Sequence, residues 1–151
     1  MVLYRITRAQ YADDLSGNGA RLYGGRWNSE GRAMIYLASS RSLAILESLA
    51  HLSPTNIPDD LVMLIIEVPD DFFAIDIKLL PGNWNEYPEP NILKQIGNAF
   101  VQKNEYLLLK VPSAIVLEEF NYLMNPSHAK AAKVKITSKS PFSFDERIIG
   151  N

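Results

Sequence analysis

The stretch AMIYLASSRSLAILESLAHL, Ala33 to Leu52, reads as a buried strand that turns straight into a helix. AMIYLA is a short, continuous apolar run of strand length. Ser39 or Ser40 then supplies a helix cap, because a serine oxygen accepts one of the amide N–H groups that a first helical turn leaves unpaired. On a 3.6-residue wheel Leu43, Leu46, Leu49 and Ala50 form an apolar face and Arg41, Ser48 and His51 fall opposite, with Glu47 on the border. That position sets a carboxylate at the rim of a core.

Outward from this unit, VLYRIT at Val2 to Thr7 predicts a short first strand, and the Gly-, Asn- and Ser-rich segment Asp13 to Gly31 predicts a loop. Downstream, LVMLIIEV at Leu61 to Val68 is apolar on both faces, as a central strand is, and FFAIDI at Phe72 to Ile77 predicts the next one. LPGNWNEYPEP is a long proline-bearing loop. NILKQIGNAFVQ places apolar residues at 92, 93, 96, 99 and 100, a helical spacing that Asn91 or Glu89 can start near Pro90. YLLLKV at Tyr106 to Val111, SAIVLEE at Ser113 to Glu119, and pieces around NYLMN, VKI and FSFDERI read as extended. Strands outnumber helices and do not alternate with them regularly, so the expected class is α+β, a compact single domain over 1–151 with a mixed or antiparallel sheet and a few helices.

The composition fits that class. A chain of 151 residues is about one domain's worth, and 47% hydrophobic with 21% charged residues is ordinary for a folded soluble protein. The formal charge is −2 and the 15 basic residues are scattered, so no polyanion-binding stripe is indicated and direct nucleic-acid binding is not expected. Cysteine is absent, which removes disulfides, thiolate nucleophiles and cysteine-based zinc sites together. MVLYRITRAQYADD has no basic region followed by an apolar one, so it does not read as a secretory signal, and LVMLII is far shorter than the roughly 20 residues that span a bilayer. A soluble, cytoplasmic protein is the expectation.

The glycines at 17, 19, 24 and 25 invite a nucleotide-binding reading, which fails on spacing. They do not form G-x-G-x-x-G, and they lead into a strand rather than opening a helix onto a pyrophosphate. Glu47 and His51 lie four apart on one helix, but His128 is the only other histidine, and no metal motif accompanies them. Ser113 has no G-x-S-x-G setting. What remains is Arg26 on a glycine-flanked loop, Tyr36 on a strand and Glu47 on the rim of the next helix, three side chains that consecutive elements can bring to one cleft. From spacing alone they better suit a loop brace, a core ring and a border residue.

Read together, GGRWN, IYLASSRSLAILESLAHL, VPSAIV, NYLMNPSH and PFSFDERI resemble the RES domain, the toxin half of bacterial toxin–antitoxin pairs, over nearly the whole chain. The resemblance implies a fold similar to ADP-ribosyltransferase toxins and an enzyme that takes NAD as a substrate, with no separate cofactor and no metal. It maps the family's arginine to Arg26, its tyrosine to Tyr36, its glutamate to Glu47 and its serine to Ser113, with Arg5 as a further arginine. Glu47 then stabilises the positive charge that builds on ribose as the nicotinamide bond breaks. Arg26, with Arg5, grips phosphate; Tyr36 stacks on nicotinamide; Ser113 orients a ribose or the glutamate.

Hydrolysis or phosphorolysis of NAD, to inhibit growth, is the first activity implied. ADP-ribosyl transfer to a protein is the alternative, and an RNA-directed toxin or a non-enzymatic module fits the acidic chain less well. The resemblance also implies an Xre-like helix-turn-helix antitoxin covering the active site and a homodimer within that complex.

Overall fold

The structure, a computed structural model, describes residues 1–150. Its centre is a seven-stranded sheet in the order β4 (Phe72–Ala74), β5 (Leu108–Pro112), β6 (Phe120–Met124), β2 (Ile35–Ala38), β1 (Val2–Arg8), β3 (Leu61–Glu67), β7 (Lys135–Pro141). Among the described residues only the β4–β5 pair is parallel, so the sheet is mixed and the class is α+β as expected. Among the described residues four α-helices complete it: α1 (Asn18–Tyr23), α2 (Arg41–His51), α3 (Ile92–Lys103) and the short α4 (Glu146–Ile149). None of the helices among the described residues is long and apolar enough to cross a membrane.

The alternation of side chains divides the core between the two faces of the sheet. Leu3, Ile35, Leu37, Leu64, Ile66, Leu108 and Met124 are buried on one face. On the other, α2 packs Leu43 and Ala44 against Ala38 and Met63, and α3 packs Leu93 and Phe100 against Leu109, Val111 and Leu123. Full burial of Leu43, which has no exposed surface, stabilises by about 2 kcal/mol relative to leaving it in water. β1 and β3 pair along seven residues, but β1 meets β2 only at Tyr4 and Ala38. The two sides of the sheet therefore join at one residue pair, and both helices that bear on the site lie on the face of Tyr4 and Ala38.

Several local expectations change. The 13–31 segment is not all loop: α1 forms within it, entered from Gly17 at φ +72° and ended at Gly24 at φ +73°, with Asn18 Oδ1 accepting from Arg21 Nε at 2.9 Å. Ser40, not Ser39, caps α2, accepting from Leu43 N at 3.0 Å. The buried face of α2 is rotated from the expected one, because the β1 and β2 side chains beneath it take Leu43 and Ala44, and Leu46 is left 42% exposed.

Phe72–Ile77 is strand only to Ala74, after which Asp76 caps a 3-10 turn at Ile77–Leu79. Ser113–Glu119 is not a strand. Ser113 Oγ accepts from both Ile115 N and Val116 N at 3.1 Å, and Glu118 takes φ +67°, so the chain turns back into β6. The FSFDERI segment ends in α4, because Asp145 accepts from Arg147 N and caps it.

Candidate functional site

Glu47 leaves α2 toward the β5–β6 hairpin. Its Oε1 accepts from Ser113 Oγ at 2.8 Å and from Asn121 Nδ2 at 2.8 Å. Ser113 is 1% exposed, and its two oxygen lone pairs are already occupied by the Ile115 and Val116 amides. A hydroxyl has one proton and two acceptor positions, so the Ser113 proton has a single direction left, toward Glu47. Asn121 lies opposite Ala38 on β2 and Val111 on β5. Glu47 Oε2 has no hydrogen bond among the described residues. One oxygen is thus held by the protein and the other is open.

Tyr36 shares the sheet face of Ala38 and Asn121, two pairs further along, where it sits opposite Leu123. Its hydroxyl donates to Asn28 Oδ1 at 2.6 Å and accepts from Trp27 N at 2.9 Å. Burial pushes its pKa well above the ordinary phenol value, and Glu89 pushes the same way, while the Trp27 amide and Arg26 oppose. The hydroxyl therefore stays protonated and is committed to the loop that carries Arg26.

That loop is clamped from several sides. Asn28 Nδ2 donates to Ala20 O at 2.8 Å and Arg32 O at 3.0 Å, and Ser29 exchanges two hydrogen bonds with Asn98 of α3, at 3.1 and 2.9 Å. Trp27 is 2% exposed and belongs to the core. Gly97 of α3 sits so close that a methyl group there would fall 1.7 Å from the Trp27 carbonyl oxygen. Gly25 passes the Tyr36 hydroxyl in the same way, at 2.6 Å from an added Cβ. Of the glycines in this segment, Gly17 and Gly25 serve close packing, whereas a Cβ at Gly19 would meet nothing within 4 Å.

Arg26 is half-buried on this platform. Its Nη1 donates to Trp84 O at 3.1 Å and Glu86 O at 3.0 Å, bracing the 81–90 loop. Its Nε and Nη2 have no protein partner among the described residues, so two of its nitrogens can still meet an anion. Glu89, ion-paired to Lys94 at 2.9 Å, lies close enough to feel the Arg26 charge.

The structure thus brings Glu47 and Ser113 into contact, and it places Tyr36 on the same face while tying it to the Arg26 loop. Arg5 is not brought into this group. It alternates to the opposite side from Tyr4, and its Nη1 donates to Asp14 O at 3.2 Å, with burial lowering its pKa. Tyr23 is 81% exposed and does not line the group. The sequence reading missed Asn121 and Asn28, although asparagine inside an apolar strand such as FNYLM is itself a signal. A 380 Å³ hollow between β4 and α3, lined by Phe73, Ile96, Phe100 and Tyr106, lies elsewhere.

With the geometry in view, likenesses to known proteins bear on it. The RES domain family model matches residues 2–145. A protein of Sphingobium sp. (strain YBL2), named Prs ADP-ribosylating toxin, is 41% identical over 146 residues, covering 94% of this chain and 91% of its own. A protein of Photorhabdus laumondii, named Toxin Res, is 38% identical over 152 residues, covering 99% and 97%. The fold is similar to the crystal structure of the M. tuberculosis MbcT–MbcA toxin–antitoxin complex, at a TM-score of 0.76 and 20% identity, over 94% of this chain and 84% of that one. A match across almost the full length, together with relatives near 40% identity, settles membership: the chain belongs to the RES domain family.

Proposed function

We propose that this protein is the toxin of a toxin–antitoxin pair and that it consumes NAD by breaking the nicotinamide–ribose bond. The observation that carries the reading is the state of Glu47: Oε1 gripped by Ser113 and Asn121, Oε2 open. In the reaction the C1′–N bond breaks with its electron pair going to the nicotinamide ring, which leaves neutral. Positive charge then develops at C1′, where a fixed carboxylate oxygen stabilises it. Water attacks C1′ and releases a proton to solvent, giving ADP-ribose, or a phosphate oxygen attacks C1′, giving the ADP-ribose phosphate. Arg26 Nε and Nη2 hold a phosphate oxygen of the dinucleotide, the Tyr36 ring stacks on nicotinamide, and Ser113 acts on Glu47 rather than on the ribose.

Incubating the protein with NAD and following nicotinamide by chromatography tests this. Release above that of Glu47→Ala is expected, and parity between the two contradicts it. A second reading, ADP-ribosyl transfer to a protein, is favoured by the name of the Sphingobium relative. NAD labelled in its adenylate half separates the readings: label retained on a protein band marks transfer, and free ADP-ribose or its phosphate marks consumption.

The partner proposed is an Xre-like helix-turn-helix antitoxin seated over Glu47 and Arg26, and the solved relative, itself a toxin–antitoxin complex, supports a partner of this kind. A homodimer of the toxin within that complex and a cytoplasmic setting, where NAD is present, belong to the same reading.

A further inference from the structure

The second residue of β6, Asn121, poses a chemical question. Its neighbours in FNYLM are apolar or aromatic, and asparagine is among the residues that strands disfavour. Asn121 is half-buried there, between Val111 on β5 and Ala38 on β2. Its one side-chain hydrogen bond runs from Nδ2 to Glu47 Oε1. Only the NH2 end of an amide attracts a carboxylate, so this contact fixes which way the amide is turned. Its Oδ1 has no partner among the described residues, so the Glu47 contact is the one side-chain hydrogen bond there that calls for asparagine.

We infer that Asn121 is a positioning residue for Glu47, turning Oε1 inward jointly with Ser113 so that Oε2 is the oxygen presented to substrate. The inference rests on the proposed NAD reading for its consequence but on the geometry for its cause. Ser113 alone fixes one hydrogen bond about which the carboxylate still swings. A second donor on the same oxygen, reaching it from β6 rather than from the turn after β5, removes that freedom. Both donors are neutral, so Glu47 is oriented without an ion pair that would offset the charge it offers the substrate.

Three variants separate positioning from packing. Asn121→Asp keeps the shape but replaces the donor with a second carboxylate facing Glu47, whereas Asn121→Ala removes the donor and leaves space. If the side chain serves packing, aspartate is the milder change. Positioning predicts the reverse order for nicotinamide release: wild type, then alanine lower by about 10- to 100-fold in kcat with KM for NAD within about threefold, then aspartate lowest. Asn121→Ala combined with Ser113→Ala should lose less than the product of the two single losses, because both act on one oxygen.

A substrate-independent arm uses the side-chain amide of Asn121 in the 15N–1H spectrum of the whole protein. Its NH2 resonances should move in Glu47→Ala. Motion there with no nicotinamide release by wild type upholds the contact and sinks the NAD reading. Unmoved resonances, aspartate milder than alanine, or a loss confined to KM overturn the inference.

Discussion

Ser113 Oγ donates to Glu47 Oε1 at 2.8 Å although 66 residues of chain separate the two. A turn of sequence that first suggested a strand therefore serves a carboxylate on a helix. The contact is one-directional, since the Ser113 oxygen is already occupied by two backbone amides.

Ser113→Ala removes that donor and also strips a hydrogen bond from each of Ile115 N and Val116 N. Nicotinamide release should fall about 10- to 100-fold in kcat with little change in KM, measured as initial rates over a range of NAD. An equal fall in affinity for NAD would instead place Ser113 on the substrate.

Gly97→Ala forces a methyl group into the Trp27 carbonyl, which is backbone and cannot rotate away. Overpacking of this kind costs about 1–3 kcal/mol, read as a lower urea midpoint. The same substitution should raise KM for NAD, because Arg26 is the residue before Trp27. An unchanged midpoint would show that α3 does not seat the loop as described.

Arg26→Lys keeps the charge but not the planar fork. Lysine cannot brace both Trp84 O and Glu86 O and still present two nitrogens to a phosphate. KM for NAD should rise about tenfold or more, with the effect shrinking for an analogue that lacks the diphosphate. Lysine at wild-type KM would remove Arg26 from the binding site.

Tyr36 carries a pH prediction. Its pKa in the folded protein lies above the ordinary value, so the unfolded chain releases this proton first as pH rises. The stability tied to the protonated phenol is complete below about pH 10 and drains away as pH climbs beyond it. Tyr122, also raised by burial, adds in the same direction. Tyr36→Phe should lower stability by about 1–3 kcal/mol at neutral pH, since Trp27 N and Asn28 lose a partner, and should flatten the alkaline decline. A decline as steep as in wild type would place the titrating group elsewhere.

The strands and the two long helices were legible because their apolar periods are local and strong, and the cap at Ser40 is a short-range signal. What sequence could not show is where those elements meet. The buried face of α2 depends on which β1 and β2 side chains lie under it, so Leu46 read as core and stands 42% exposed. Apolar SAIVLEE looked like a strand, yet the Ser113 hydroxyl competes for its backbone amides and turns it. Arg26, Tyr36, Glu47 and Ser113 were named through a family pattern. Their division of labour came from hydrogen-bond partners, which gave Tyr36 to the Arg26 loop, Ser113 to Glu47, and Arg5 to the other side of the sheet.

The most direct measurement compares nicotinamide release from NAD by wild type and by Glu47→Gln, with folding of both confirmed by thermal melting. Glutamine keeps the oxygen that Ser113 and Asn121 grip but loses the charge that faces the sugar. Wild type is expected to release nicotinamide, and Glu47→Gln, folded alike, to do so at least about 100-fold more slowly. Equal release by the two, or none by wild type, would contradict it.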